Sequence, residues 1–309
     1  MKKILSLLLV SFLILLLSCS EDQPTETTEP ENSAPNIQSI TASPPYGVMS
    51  EISSLSCIAT DSDGDELTYI WSTNDGTFPN GANGLSVNWN APNYEGTFIV
   101  NVTVSDVKET LMDSIAIWVS YPRCPGVPIV EYSGKTYNTV QIGNQCWLKE
   151  NLDVGIMIIG SELQSNNGLL EKYCYDNDES NCDKYGGLYQ WDELMKYVTT
   201  EGTQGICPSG WHIPRKTDLE TLKFLVDESS SALRTKGTNT SGFSALFGGS
   251  RHYQDATFNS IDNAIYFWSS SDYGSSDAYY MTPTSNTDDI IYIRDVIQNY
   301  GFSVRCIKD

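Results

Sequence analysis

Eight cysteines, two histidines and one alternating acidic run are the residues of this 309-residue chain whose types and spacing could do chemistry. The thiols of Cys57, Cys124, Cys146, Cys174, Cys182, Cys207 and Cys306 could pair as disulfides or hold zinc. Zinc is disfavoured, because no C-x2-C pair occurs and neither His212 nor His252 stands near a cysteine pair. A disulfide framework is expected, for which the six cysteines after Tyr121 allow 15 connectivities. Cys174 and Cys182 are spaced to close a local loop, and Cys57, within a strand pattern, is expected to pack as a free buried thiol. Asp61, Asp63 and Asp65 alternate as the oxygen ligands of Ca2+ do, but no Glu follows at the bidentate position. An Asx-bonded turn is the favoured reading of that run, with Ca2+ on the three aspartates as the alternative. A Ser-His-Asp triad would have to use His212 or His252, and no motif singles out a carboxylate pair among the 39 acidic residues, so no catalytic residue is expected.

Cys19 belongs to a different context. Met1-Lys2-Lys3 and the apolar run from Ile4 to Leu17 make residues 1–18 a signal peptide. The run falls short of the roughly 20 apolar residues that span a bilayer, and no later stretch approaches that length. Leu16-Leu17-Ser18-Cys19 resembles the lipobox of bacterial lipoproteins, which implies that Cys19 is acylated and ties the chain to a membrane. Ser20-Glu21-Asp22 resembles the surface-export signal of Bacteroidetes-type lipoproteins, so the expected place is the outer membrane, facing the exterior. Residues 19–35, rich in Thr, Glu, Pro and Asn, read as a disordered tether. A net charge of -21 argues against nucleic acid and anionic headgroups as partners.

Two globular segments follow. Within 36–121, strands are predicted at Leu55–Ala59, Leu67–Ser72, Leu85–Trp89, Thr97–Ser105 and Ser114–Val119, separated by turn signals, as in a small β-sandwich. Phe98, Val100, Val102 and Val104 should share one face. Residues 122–309 read as α+β. Thr217–Asp227 places Leu219, Leu222, Leu225 and Val226 at helical spacing, and Thr217 with Glu220 makes a predicted capping box. Trp147, Trp191, Trp211 and Trp268 are expected in the core.

Asp61 to Trp71 (D-S-D-G-D-E-L-T-Y-I-W), with the later V-T-V-S-D, resembles the immunoglobulin-like PKD modules of bacterial surface proteins. The runs Gly134–Leu152, Tyr185–Trp191 (Y-G-G-L-Y-Q-W), Cys207–Pro214 (C-P-S-G-W-H-I-P), Phe267–Ser271 (F-W-S-S-S) and Gly301–Cys306 (G-F-S-V-R-C) resemble the Fibrobacter succinogenes major paralogous domain, FISUMP. That resemblance implies an extracellular domain related in fold to the C-type lectin-like domain. It also implies the pairs Cys207–Cys306 and Cys124–Cys146. The Glu-Pro-Asn, Gln-Pro-Asp and Trp-Asn-Asp motifs of calcium-dependent lectins are absent.

The sequence therefore predicts a multidomain chain, a PKD/Ig-like β-sandwich followed by an α+β, C-type lectin-like head. Non-catalytic binding of a glycan or a surface protein is the expected role. A structural subunit of a surface assembly and a polysaccharide-acting enzyme are the alternatives. The candidate binding face is Tyr273, Tyr279, Tyr280, Asp288, Tyr292 and Arg294, with plain strand alternation as the other account of Ile290–Arg294. Palmitate labelling of the chain in its native cell is expected to vanish in Cys19→Ala; persistent label would remove the anchor.

Overall fold

Apolar alternation builds the first segment. The computed structural model describes residues 31–274, 276–285 and 289–309, so the leader, Cys19 and Asp288 lie outside the described residues. Strands β1 (Asn36–Ser43), β3 (Ile52–Thr60) and β5 (Ser86–Asn90) form one sheet. Strands β2 (Gly47–Val48), β7 (Thr110–Ser120), β6 (Gly96–Ser105) and β4 (Thr68–Thr73) form the second, in that order. Phe98, Val100, Val102 and Val104 all face the shared core, against Trp71 and Trp89. The free thiol of Cys57 is buried in the same core, and burial pushes its pKa up. Strand β1 has no counterpart among the predicted strands, because its pairing with β3 shifts register between Ile37 and Ser39 and breaks the period of two. The end of the expected tether is also fastened: Asn32 donates to Asp106 Oδ2 (2.9 Å), Ser33 N donates to Asp63 Oδ2 (2.6 Å), and Pro35 is buried.

Strand β7 runs directly into the second segment. Tyr121 donates its hydroxyl to Asn239 O at 2.6 Å and packs in the head's core, while Met49 touches the cores of both segments.

The head opens with a hairpin, β8 (Ile129–Tyr132) and β9 (Lys135–Ile142), whose turn holds Ser133 and Gly134 at φ of 50° and 76°. Strand β10 (Gln145–Leu148) follows, and a two-residue pair, β11 (Ile156–Met157) with β12 (Glu171–Lys172), lies beyond it. Then come α1 (Glu179–Tyr185), α2 (Trp191–Leu194), β13 (Trp211–His212), α3 (Lys216–Leu225) and α4 (Ser230–Leu233). A short pair, β14 (Ser250–Arg251) and β15 (Phe258–Asn259), precedes a meander of β16 (Phe267–Asp272), β17 (Asp277–Pro283) and β18 (Ile291–Ile297). Strand β19 (Ile307–Lys308) closes the central sheet, whose order is β13-β19-β10-β9-β8. Both faces of that sheet are covered: Tyr137 and Leu148 belong to one core, and Val140, Trp147 and Ile307 to the other.

Helix α3 begins one residue before the predicted start and is capped differently. The Asp218 carboxylate, not Glu220, accepts the backbone N–H of Arg215 at 2.8 Å. Asp218 is also held by His212, a tertiary contact that the local Thr-x-x-Glu pattern does not contain. Leu219, Leu222 and Val226 are buried as the spacing predicts, with Leu225 partly so.

Three disulfides brace the head: Cys124–Cys146, Cys174–Cys182 and Cys207–Cys306. The last spans 99 residues of chain, for which the loop-entropy estimate is roughly 4 to 5 kcal/mol. Beside it Arg305, 1 % exposed, makes no ion pair among the described residues. Its Nη2 donates to Asn151 Oδ1 at 2.6 Å, its Nη1 to the carbonyls of Leu148 and Phe243, and its guanidinium lies 4.5 Å from the Phe243 ring centroid. Asn151 in turn donates to Tyr185 O at 2.8 Å, next to Gly186, where a Cβ would stand 2.5 Å from that of Asn151. Burial pushes the Arg305 pKa down to about 9, so it remains a cation at neutral pH. Arg305→Met should therefore lower the unfolding free energy by about 3 kcal/mol or more, since it strands several buried acceptors. Urea unfolding of the full chain measures this, and an unchanged midpoint would show that the guanidinium is not the tie.

Candidate functional site

The four family-block tryptophans are sealed inside the head, none more than 3 % exposed. Three of their indoles are spent on internal bonds: Trp191 Nε1 donates to Ser269 O and Trp268 Nε1 to Tyr189 O, each at 2.8 Å, and Trp147 Nε1 to Gln145 Oε1 at 3.2 Å. None forms a surface platform. A group of half-buried tyrosines is instead arranged around one buried ring, Phe302.

Isolated bridges from Tyr189 to Phe302, Arg251 to Gly301 and Phe267 to Ser303 fix this stretch beside three other segments. Tyr266 stacks on Phe302 at 4.7 Å and 14°, Tyr300 at 5.3 Å and 29°, and Tyr280 lies 5.2 Å away. Tyr253 and His252 extend the cluster through Tyr300 at 5.1 and 5.2 Å. All five outer rings are half-buried, while Phe302 is 3 % exposed. Burial holds the hydroxyls of Tyr266, Tyr280 and Tyr300 above the usual phenol pKa, with Arg294 pulling the other way on Tyr280. They stay protonated through the physiological range, each able to donate and accept a hydrogen bond.

Strand pleating divides the candidate face read from the sequence. On β17 and β18, Tyr280 pairs with Arg294 and Thr282 with Tyr292, which puts Tyr280, Tyr292 and Arg294 on one side. There the Arg294 guanidinium sits 4.2 Å from the Tyr292 ring centroid. Tyr279 faces the other side, edge-on to exposed Tyr273 at 5.2 Å and under the Lys216 ammonium at 4.4 Å. Tyr253, Tyr266 and Tyr300 were not among the predicted residues, because they come from separate segments and no local spacing links them.

The acidic run forms the favoured turn. Asp61 Oδ1 accepts the N–H groups of Asp63 (2.8 Å) and Asp65 (3.2 Å). Among the described residues no group of three His, Cys, Asp or Glu is placed to hold a metal. Among the same residues Asp61 Oδ2 and Asn32 Oδ1 are nonetheless buried without a hydrogen-bond partner, and Asp65 Oδ2 meets the Lys108 ammonium at 3.5 Å.

His212 lies in a groove of about 710 Å3 together with Arg215, Asp218, Lys308 and Asp309. Its Nδ1 stands 2.7 Å from Asp309 Oδ1 and its Nε2 3.3 Å from Asp218 Oδ2, so both ring nitrogens are engaged by carboxylates. Thr221 donates its hydroxyl to Thr217 O, and Cys146 is in a disulfide, which leaves this histidine tying β13 to α3 and the end of the chain. A second group unseen in the sequence is Glu193, 2 % exposed at a cleft of about 220 Å3. Burial raises its pKa, but its Oε1 accepts Glu171 N at 2.8 Å and its Oε2 accepts the Tyr197 hydroxyl at 2.7 Å.

Residues 140–308, more than half of the chain, match the family described as the Fibrobacter succinogenes major domain. The chain belongs to this family. The F. succinogenes major domain thus covers the central sheet from within β9, the Phe302 cluster and both cysteines of the longest disulfide loop. No curated protein matches the chain. A crystal structure of human protocadherin-24 EC1-2 is similar at 21 % identity over 30 % of this chain and 45 % of that one, with a TM-score of 0.24. The chain thus spans under half of that structure, and a likeness this slight carries no argument.

Inside the F. succinogenes major domain, His212 sets a pH dependence. Burial opposes its protonation, but Asp218 and Asp309 outweigh burial and raise its pKa, while Asp218, despite burial, is held below its usual value by His212 and Arg215. The His212 contribution is complete below about pH 6.5 and is lost as pH rises through the raised folded value. The Asp218 contribution is complete above about pH 4 and is lost as pH falls. The thermal midpoint of the full chain should therefore decline from about pH 6.5 upward, and His212→Gln should flatten that limb. A midpoint independent of His212 across this range would exclude the tie.

Proposed function

We propose that the chain is a lipid-anchored protein of the outer membrane surface whose F. succinogenes major domain serves as a non-catalytic, C-type lectin-shaped binding head. The PKD-like sandwich acts as its spacer, with domain limits at residues 36–121 and 122–309. The observation that carries this reading is the half-exposed ring of Tyr253, Tyr266, Tyr280 and Tyr300 around buried Phe302, flanked by Arg294. Stiff aromatic side chains with polar tips give contact area at low entropy cost, and their faces suit the apolar faces of sugar rings or of a partner protein. This reading gives the head no cofactor, and calcium is the ion that the unpartnered oxygens of Asn32 and Asp61, beside the Lys108-paired Asp65, would take.

The test is binding of the full chain, purified in detergent, to a glycan array and to extracts of surface protein. Saturable capture that falls about tenfold or more in Tyr280→Ala or Tyr300→Ala supports the head as the binder. Self-association alone, abolished by the same changes, would transfer the reading to a structural subunit, and release of cleaved saccharide that Glu193→Gln abolishes would transfer it to an enzyme.

A further inference from the structure

The junction of sandwich and head carries a second concave surface, apart from the Phe302 cluster. It is a cavity of about 570 Å3 walled by Tyr46, Trp118, Ser120, Tyr121, Arg123 and neighbouring apolar side chains. It continues into a smaller recess of about 210 Å3 that adds Glu95, Asn138, Thr139 and Lys149 and shares the Trp118 and Arg123 walls. The larger volume lies within the roughly 300 to 1,000 Å3 of small-ligand sites.

Trp118 is 53 % exposed and Tyr46 58 %, in a chain whose head tryptophans are all sealed. On β7 the neighbours of Trp118, Ile117 and Val119, point into the sandwich core, so strand alternation commits Trp118 to the opposite, outer side. The charges of this wall are unequal. Lys149 is engaged by Glu95 at 3.4 Å and lies 4.9 Å from the Tyr121 ring centroid, whereas Arg123 is exposed and makes no ion pair among the described residues. The site thus offers two aromatic faces, hydroxyl and amide groups, and one uncommitted guanidinium.

We infer that this junction groove binds an acidic saccharide, a uronate-containing oligosaccharide. Trp118 and Tyr46 stack on pyranose faces, and Arg123 takes the carboxylate. A guanidinium meets a carboxylate through two parallel N–H bonds, which a neutral sugar cannot use. The overall charge of -21 repels dense polyanions, so one sparsely spaced carboxylate per bound unit is the chemistry that fits a single free arginine. Because Tyr46 and Trp118 come from the sandwich, while Pro128 and Lys149 come from beyond the Tyr121 crossing, the groove is complete only when both segments are present.

The test titrates the full chain, in detergent, with an oligosaccharide that carries a single glucuronate residue, with the neutral oligosaccharide of equal length, and with a poly-glutamate peptide, reading tryptophan fluorescence and calorimetry. Saturable binding of the glucuronate-bearing oligosaccharide is expected, weakened about tenfold or more by Trp118→Ala and by Arg123→Gln. Arg123→Gln should also erase the preference for acidic over neutral sugar, while Tyr280→Ala leaves binding unchanged and so separates this groove from the Phe302 cluster. Unaltered thermal midpoints of the two groove variants establish that they fold. No saturable uronate binding, binding indifferent to Trp118, or equal binding of poly-glutamate would overturn the inference.

Discussion

Of the buried cations in the head, Arg305 is the one that organises it. Arg305 makes no ion pair among the described residues and is satisfied by Asn151, by the carbonyls of Leu148 and Phe243, and by the face of Phe243. A guanidinium in such a place is tolerated only if its donors are met and its acceptors cannot find water instead. The acceptors come from positions 148, 151 and 243, so the first block of the family pattern, the stretch before β14 and the last block must arrive together. Asn151 passes the constraint on to Tyr185, and the neighbouring Cys207–Cys306 bridge holds the same end of the chain covalently. The aromatic surface exists because this anchor places Phe302, three residues upstream, under Tyr266, Tyr280 and Tyr300.

The head uses its two kinds of large polar-tipped ring for opposite purposes. Tryptophans are buried, and the N–H groups of Trp147, Trp191 and Trp268 are bonded to backbone or to Gln145, so these three join elements and present nothing outward. Tyrosines keep the hydroxyl edge at the surface while the ring rests on Phe302, an arrangement in which a ligand could meet a preorganised, apolar-backed face. Trp118 breaks this division of labour, and it does so on the sandwich, at the crossing to the head.

Carboxylates show the same contrast between local and tertiary roles. Asp61 closes its own loop with two backbone N–H groups within four residues. Asp218 is claimed by His212 and Arg215 and so caps the helix at Arg215, two residues before the cap that Thr217 and Glu220 would have made. In the first case neighbours in sequence supply the partners; in the second a strand and a helix must already be docked.

The sequence alone determined the alternation of Phe98 to Val104, the helix around Leu219 and Leu222, the burial expected of the tryptophans and the family to which residues 140–308 belong. Each is a property of neighbours at fixed spacing or of blocks read in order. Strand β1 escaped because a bulge interrupts its period. Tyr253, Tyr266 and Tyr300 escaped because bridges between residues tens of positions apart, Arg251 with Gly301 and Phe267 with Ser303, bring them to Phe302. The predicted face was divided because a pleat sends Tyr279 and Tyr280 to opposite sides, and which side meets the core is decided only when the meander packs. Tertiary structure alone decided which rings are sealed and which are shared with solvent, since exposure depends on what arrives from elsewhere in the chain.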